Sequence, residues 1–255
     1  MIFDTHAHYE DEAFDTDRNE LLNSLSGQDI GYVINVSSTL ASVDKTLELA
    51  QKYAFIYGAV GIHPEEAATL NEENFRWLEK KTGHPKNMAI GEIGLDYYWD
   101  SPDRETQKTW FERQMELARQ QKLPVIIHSR DAANDTYGMM KAAKADEIGA
   151  VIHCFSYSVE QARQYLSMGF YLGIGGVLTF TNGRKLKEVV EYAPLESLLL
   201  ETDCPYLAPV PHRGKRNSSL YLPYVVQEIA RLKNIDYDTV IRVTCENAKR
   251  FYGID

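Results

Sequence analysis

Seven residues of this sequence carry an imidazole or a carboxylate that could bind a metal ion. Each lies at or just past the carboxyl end of a predicted β-strand. They are His6, His8, His63, Glu92, His128, His153 and Asp203. A single histidine in such a place is usually structural. Even without His63, four histidines and two carboxylates at strand ends of the same polarity are difficult to place by chance, so the set predicts a metal site.

The spacing of His6 and His8 has a direct geometric meaning. Residues i and i+2 of a strand point the same way, roughly 6–7 Å apart, so two imidazoles can close on one ion. A carboxylate from another strand would complete the ligand set. A lone His-x-His often occurs by coincidence. It indicates a metal site here only because other imidazoles and carboxylates also lie at strand ends.

Eight short apolar runs must position these side chains. Most are nearly continuous rather than alternating, which is typical of parallel strands covered on both faces. The predicted strands are Met1–Asp4, Gly31–Val36, Phe55–Val60, Met88–Ile93, Pro124–His128, Ala150–His153, Phe170–Ile174 and Leu198–Thr202.

Helical patterns separate many of these runs. Leu40, Val43, Leu47 and Ala50 share one face at helical periodicity. A later helix is predicted to begin with Ser101 as its N-cap and Pro102 as its first residue, and to carry Phe111, Met115 and Ala118 on one side. The remaining predicted helices are Asp131–Ala145, Val159–Met168, Leu186–Tyr192, Leu220–Leu232 and Tyr237–Tyr252.

Eight strands alternating with helices over 255 residues predict an α/β protein with a (β/α)8 barrel. A doubly wound open sheet is the alternative. The strand-end residues would converge on one rim of a barrel but spread along the edge of an open sheet, so their chemistry favours the barrel. We expect a single hydrolase domain over residues 1–255.

Composition limits the possible partners. A net charge of −10 argues against a broad basic face that grips long nucleic acid, although a local basic spot stays possible. The first residues lack the features of a signal peptide, and no run of about 18 apolar residues predicts a membrane span. The three cysteines are few and widely spaced. We therefore expect inert thiols, a cytoplasmic protein, no membrane association and no obligate protein partner.

Several short motifs together resemble the TatD-type metal-dependent deoxyribonucleases, a branch of the amidohydrolase-like barrels. The resemblance covers nearly the whole chain, and the GEIGLDY and ETDCPYLAP motifs distinguish this branch from the wider superfamily. In chain order the motifs are DTHAH (4–8), GIHP (61–64), GEIGLDY (91–97), IHSR (127–130), HCFS (153–156), ETDCPYLAP (201–209) and RGKRN (213–217).

The resemblance implies two divalent metal ions, with Mg²⁺, Mn²⁺ or Zn²⁺ as candidates. His6, His8 and Asp203 would hold the first ion, His128 and His153 would hold the second, and Glu92 would bridge them. A carboxylate can span two ions about 3.5–4 Å apart, which together clamp the attacking and leaving oxygens. Asp203 could also accept a proton from the attacking water.

Neighbouring residues are candidates for supporting roles. His63 could contact a scissile phosphate or protonate the leaving oxygen, or it could simply begin a helix before Pro64. Asp96 and Ser129 could orient the metal-binding histidines. Candidate phosphate ligands are Arg130, Arg213, Lys215 and Arg216. A short basic run is often just a solvated loop, but its place after the eighth strand, where barrels often bind phosphate, favours the binding role.

Two further features leave their interpretation open. Tyr97, Tyr98 and Trp99 follow the fourth strand and could stack on nucleic-acid bases, or could equally pack against the barrel rim. The LGIGG segment (172–176) lacks the spacing of a dinucleotide site and predicts a tight turn after the seventh strand.

The function that follows is metal-dependent hydrolysis of DNA phosphodiester bonds, acting from a single-stranded or free end. An end-acting site needs few phosphate contacts, which suits an acidic protein. The alternative is a carbon–nitrogen hydrolase that uses the same metals on a small cyclic amide. The basic run and Glu92, where many relatives use a modified lysine, argue against it. A catalytically silent barrel is the third reading, and the complete set of ligand-type residues disfavours it.

Overall fold

The computed structural model describes residues 1–254. All eight predicted strands are present, and hydrogen bonds connect them in chain order from the first strand to the eighth. They are β1 (Ile2–Ala7), β2 (Ile30–Val36), β3 (Ile56–Ala59), β4 (Asn87–Asp96), β5 (Val125–Arg130), β6 (Ala150–Ile152), β7 (Tyr171–Ile174) and β8 (Leu198–Leu200). β1, β4 and β5 extend beyond their predicted ends, so His6, Glu92 and His128 lie inside strands rather than at their ends.

Helices follow the strands along the chain. They are α1 (Arg18–Leu25), α2 (Leu40–Lys52), α3 (Glu72–Thr82), α4 (Arg104–Gln121), α5 (Ala133–Ala142), α6 (Val159–Ser167), α7 (Arg184–Tyr192), α8 (Leu222–Lys233) and α9 (Tyr237–Tyr252). The sequence patterns did not predict α1 or α3. A capping box starts α3: the side chain of Asn71 accepts from the backbone of Asn74, whose own side chain reaches back to the backbone of Asn71.

The predicted start of α4 was wrong. The helix begins at Arg104, and its N-cap is Asp103 rather than Ser101. One carboxylate oxygen of Asp103 accepts the backbone N–H groups of Glu105 and Thr106, both at 3.1 Å. A carboxylate satisfies these donors and complements the helix dipole, so Asp103 is the better cap.

The strand order and the place of β1 settle the fold class. In addition to its pairing with β2, β1 lies beside β8: the hydroxyl of Thr5 donates to the carbonyl of Leu200 at 2.9 Å, and Ala7 bridges to Cys204. An open sheet would leave its first and last strands on separate edges. The fold is therefore the predicted (β/α)8 barrel, and the doubly wound sheet is excluded.

Backbone contacts divide the chain into two compact units. The first comprises Met1–Asn35 and the chain from Cys154 onward, and the second comprises Val36–His153. In the first unit every residue of β1 is buried, and Phe3 stacks on Tyr32 with ring centroids 5.0 Å apart. The core of the second unit joins α2 and α3 to the chain that follows β3, through Val43, Leu47, Val60, Ile62, Leu70 and Leu78. The assignment of residues 1–255 to one hydrolase domain stays a prediction.

Neither bilayer spans nor disulfides are found in the described part of the chain. No helix within residues 1–254 combines the length and the apolar composition needed to cross a bilayer. Cys154, Cys204 and Cys245 are all free thiols. Burial raises the pKa of Cys204 well above its ordinary value, in agreement with an inert thiol.

Candidate metal centre

The first group of metal-ligand side chains lies in the first unit, at the carboxyl end of β1 and in the segment after β8. The Nε2 atoms of His6 and His8 are 3.1 Å apart. Oδ1 of Asp203 lies 3.4 Å from Nε2 of His8 and 3.8 Å from Nε2 of His6. Three ligand-type atoms therefore face one another, in the set that the family resemblance implies for the first ion.

Backbone bonds hold Asp203 next to the two histidines. The N–H of Asp203 donates to the carbonyl of His6 at 2.9 Å, and the N–H of His8 donates to the carbonyl of Cys204 at 2.8 Å. Asp203 adopts a left-handed conformation, with φ of 56°. This conformation turns the chain at the end of β8 and is tolerated by aspartate better than by most residues.

Beneath this group lies Asp4, a buried carboxylate that the sequence analysis did not single out. It accepts the backbone N–H groups of His6 and Thr202 and the hydroxyls of Thr202 and Ser219, the last at 2.6 Å. These bonds join β1 to the segment that contains Asp203. Burial outweighs them and raises the pKa of Asp4 to about 7.

Glu10 and Asn35 support His8 and were also missed from sequence. Oε1 of Glu10 lies 3.5 Å from Nδ1 of His8. The amide of Asn35 donates to Oε2 of Glu10 at 2.8 Å. Burial lowers the pKa of His8, but the bonds with Asp203 and Glu10 outweigh it and raise this pKa well above its ordinary value. Glu10 lies two residues after His8, a spacing that could have indicated an orienting carboxylate.

The second group lies in the second unit and is centred on Glu92. Oε1 of Glu92 lies 2.7 Å from Nδ1 of His128, 3.3 Å from Nε2 of His153 and 3.8 Å from Nε2 of His63. Glu92 is 3% exposed, so this carboxylate needs polar or ionic partners. One carboxylate oxygen thus faces three imidazoles contributed by the chain after β3, by β5 and by the chain after β6.

Asp96 contacts the ring nitrogen of His128 that does not face Glu92. Oδ2 of Asp96 lies 3.0 Å from Nε2 of His128. Burial lowers the pKa of His128, but the bonds with Asp96 and Glu92 outweigh it and raise this pKa to about 9. Gly94 makes this packing possible, because it has φ of +148° and a Cβ there would lie 1.9 Å from the carbonyl oxygen of His128.

His63 begins a short helix and also faces the second ligand group. It is the N-cap of a short 3-10 helix (Pro64–Thr69), and its Nδ1 accepts the backbone N–H of Glu65 at 3.2 Å. That bond places the ring proton on Nε2, the atom that faces Glu92. Burial, aided by the nearby charge of His128, lowers the pKa of His63 to about 3.

Both groups have the donor chemistry that divalent ions require. Nitrogen and oxygen ligands at about 2.0–2.2 Å from one ion are separated by roughly 3–3.5 Å. The separations of 3.1 and 3.4 Å in the first group lie in this range, and that of 3.8 Å needs a small closure. A mixture of imidazole and carboxylate suits Zn²⁺, Mn²⁺, Fe²⁺ or Co²⁺ better than Mg²⁺.

The four basic candidates have different surroundings. The guanidinium of Arg130, at the end of β5, lies 3.8 Å above the ring of Tyr98. That of Arg213 lies 4.3 Å above the ring of Phe180, and Lys215 is exposed. Arg216 instead forms a two-pronged ion pair with Asp17, at 2.8 and 2.6 Å. A phosphate could bind Arg216 only by competing with Asp17.

Two other polar residues of the family motifs, Ser129 and Asn217, have structural contacts. The hydroxyl of Ser129 bonds to that of Thr136 in α5 at 2.9 Å and so ties β5 to the next helix. Asn217, the last residue of the RGKRN motif, is buried and donates to the carbonyls of Thr202 and Tyr206. The motif therefore has a structural part that fixes the loop around Asp203 as well as an exposed basic part.

Comparison with known proteins identifies the family of this chain. The sequence profile of the family described as TatD related DNase matches residues 3–253. This chain belongs to that family. A solved TatD homologue from Escherichia coli, YJJV, superposes with a TM-score of 0.94 at 28% identity, covering 100% of this chain and 98% of its own.

Relatives within the TatD family carry general and specific names. An uncharacterized metal-dependent hydrolase from Bacillus subtilis, YabD, is 42% identical over the full length of both chains. A protein from Cronobacter sakazakii named as a 3'-5' ssDNA/RNA exonuclease is 31% identical over 98% of this chain and 97% of its own. This TatD-family chain is thus a metal-dependent hydrolase, and its His- and carboxylate-rich groups are suited to binding the metal.

Proposed function

We propose that this chain is a divalent-metal-dependent nuclease that shortens single-stranded DNA from an end. The observation that carries the proposal is the first ligand group, in which His6, His8 and Asp203 face one another at separations of 3.1, 3.4 and 3.8 Å. The TatD relative named as a single-strand exonuclease supports a nucleic-acid substrate. The net charge of −10 fits an enzyme that contacts few phosphates at a strand end.

Two ions fit the two groups, one in each. His6, His8 and Asp203 would hold the first, and His128, His153 and Glu92 would hold the second, with Glu92 as the bridging candidate. Ions in such sites polarise a phosphoryl group and activate water. Zn²⁺ and Mn²⁺ suit these donors, and the family resemblance adds Mg²⁺.

Protein groups would carry the rest of the chemistry. Asp203 combines ligand geometry with partial exposure, 17% for its side chain, so it is the candidate to accept the proton of the attacking water. The fixed tautomer of His63 presents an Nε2–H that can donate to a phosphoryl oxygen. This geometry favours phosphate contact by His63 over protonation of the leaving oxygen.

Arg130 is the strongest of the candidate phosphate ligands. It is exposed and lies in the strand that contains His128, two residues further along. A guanidinium offers paired N–H groups that match phosphate oxygens. Arg213 and Lys215 are secondary candidates, and Arg216 requires release from Asp17.

The test is a nuclease assay on end-labelled single-stranded DNA. The protein is stripped with EDTA and then given Mg²⁺, Mn²⁺ or Zn²⁺. We expect a ladder of shortened products that requires metal and is absent in His6→Ala and Asp203→Asn proteins, which also control for contaminating nucleases. The labelled end that survives defines the polarity.

Intact DNA after incubation with metal-loaded protein would overturn the proposal. In that case cyclic amides would become the substrates to test, because the same metals can polarise a carbonyl. The cytoplasmic location predicted from sequence also belongs to this proposal, and the three free thiols support it.

A further inference from the structure

Two large aromatic side chains stand exposed just after β4. Tyr98 is 53% exposed and Trp99 is 52% exposed. Their rings meet edge to face, with centroids 4.7 Å apart and an interplanar angle of 90°. Apart from Tyr192 and Tyr206, the other aromatic side chains of residues 1–254 are buried or half-buried, so two adjacent exposed rings leave unusual apolar area in contact with solvent.

The position of Tyr98 is tied to the second ligand group through Asp96. Oδ1 of Asp96 accepts the backbone N–H of Tyr98 at 2.9 Å, while Oδ2 contacts Nε2 of His128 at 3.0 Å. The same buried carboxylate therefore orients a metal-ligand histidine and the first residue of the aromatic pair. The ring of Tyr98 is held at a defined place relative to His128.

A cation accompanies the aromatic pair. The guanidinium of Arg130 lies 3.8 Å from the centroid of the Tyr98 ring. The backbone of Tyr97 is bonded to that of Arg130, with its N–H donating to the Arg130 carbonyl at 2.9 Å. The guanidinium covers one face of the Tyr98 ring, so a base would stack on the exposed remainder of the aromatic pair while the arginine takes its phosphate, since bases stack on aromatic rings and phosphates pair with guanidinium.

We propose that Tyr98 and Trp99 form a stacking surface for one nucleobase of a single-stranded nucleic acid, with Arg130 on the adjoining phosphate. This inference rests on the proposed nuclease function and names how that site positions its substrate. Every base has a π-face, so the surface accepts all four bases and selects unpaired strands over duplexes, whose bases are already stacked.

The test is a double-mutant cycle between the base and the surface. One variant is Tyr98→Ala with Trp99→Ala, and the substrates are a short oligothymidylate and an abasic strand of the same length. Both strands are given to the metal-loaded enzyme, and kcat and KM are measured separately. For the alanine variant we expect KM on oligothymidylate to rise about tenfold or more, because stacking contributes on that scale. KM on the abasic strand and kcat on both should stay near wild type.

Two further variants control for folding and for general surface effects. Tyr98→Phe with Trp99→Phe keeps both aromatic faces and removes their polar groups, so it should restore KM on oligothymidylate. Tyr192→Ala removes another half-exposed tyrosine, whose hydroxyl accepts a hydrogen bond from Arg163. This variant should leave KM unchanged on both strands. Circular dichroism and the melting temperature confirm that each variant is folded.

The outcomes separate this inference from the proposed function. If the alanine variant changes KM equally on the two strands, or on neither, the proposed stacking surface is wrong. The proposed nuclease function is unaffected by that result. If the wild-type enzyme hydrolyses neither strand, the proposed function fails, and binding of the labelled strands to the metal-loaded protein is measured by anisotropy. If wild type binds oligothymidylate more tightly than the abasic strand, and the alanine variant does not, the stacking surface is supported. If wild type binds both strands equally, the stacking surface is rejected.

Discussion

The Nε2 atoms of His6 and His8 lie 3.1 Å apart and both face the carboxylate of Asp203. Strand geometry brings the two imidazoles to the same side, and the turn after β8 brings the carboxylate to them. Two nitrogen atoms at this distance and a carboxylate beside them form a natural cation site. The following predictions begin with this group.

Removal of His8 should weaken metal binding at the first group. We expect His8→Ala to raise the Kd for Zn²⁺ or Mn²⁺ by more than about 100-fold, since loss of a direct ligand exceeds the usual effect of its supports. Titration calorimetry measures the Kd, and the metal-induced rise in melting temperature should shrink in parallel. His84→Ala is the matched control, because His84 bonds to the backbone of Lys86 and belongs to neither group. Equal affinities for wild type and His8→Ala would contradict the assignment.

Glu10 should act through His8 without touching substrate. Glu10→Gln keeps the shape of the side chain but removes the charge that faces Nδ1 of His8 at 3.5 Å. We expect a loss of about 10-fold to 100-fold in metal affinity. Glu12→Gln, in an exposed position of the following 3-10 helix, should have no effect. Unchanged affinity in Glu10→Gln would show that Asn35 and Glu10 only pack against the strand.

Glu92 should be indispensable for hydrolysis. Its Oε1 faces His128, His153 and His63, so Glu92→Ala removes the centre of the second group. We expect turnover to fall by about 10³-fold or more, as expected for removal of a group that holds catalytic metal. Metal content, measured by mass spectrometry, should fall with it. Wild-type turnover in a variant with intact metal content would refute the bridging role.

The Asp96–His128 pair should make the stability of the metal-free protein depend on pH. Burial raises the pKa of Asp96, but its bond with His128 outweighs this and lowers it below 3.8. His128 has a pKa raised from 6.5 to about 9. The pair therefore contributes its full amount to the free energy of unfolding between about pH 4 and 6.5. This contribution is lost as the pH rises through 9, where His128 loses its proton in the folded protein. It is also lost as the pH falls below the ordinary aspartate range, where Asp96 becomes protonated.

Urea unfolding in EDTA tests that dependence. Asp96→Asn should lower the free energy of unfolding by about 2 kcal/mol near pH 6, the scale of a hydrogen bond between charged groups. The difference from wild type should shrink by pH 9.5. A difference that is the same at both pH values would assign the effect to packing rather than to charge.

Arg130 and Arg216 should differ in their effect on DNA hydrolysis. Arg130→Ala should raise KM about tenfold, because it removes a charged phosphate ligand. Arg216→Ala should leave KM near wild type, since its guanidinium is engaged by Asp17. The stability change in Arg216→Ala should stay below about 1 kcal/mol, as for other partly exposed ion pairs. A larger KM effect from Arg216 would mean that substrate displaces Asp17.

Local sequence was sufficient for the architecture and for the residue types of the two groups. The apolar runs predicted all eight strands, because burial on both faces leaves few polar positions. The spacing of His6 and His8 predicted a shared direction, because side chains alternate along a strand with a fixed period. Their places at strand ends indicated Glu92, His128, His153 and Asp203, motif resemblance assigned them to two ions, and the family match agrees with that resemblance.

Only the tertiary structure decided which side chains contact each other. It placed Glu10 against His8, Asp96 against His128 and Asp17 against Arg216. It also moved the start of α4 to Arg104, where a carboxylate could cap two N–H groups. Strand spacing follows from the local backbone, whereas these pairs depend on how loops and neighbouring strands bring distant side chains within reach. Charge and distance then determine which partner each side chain takes.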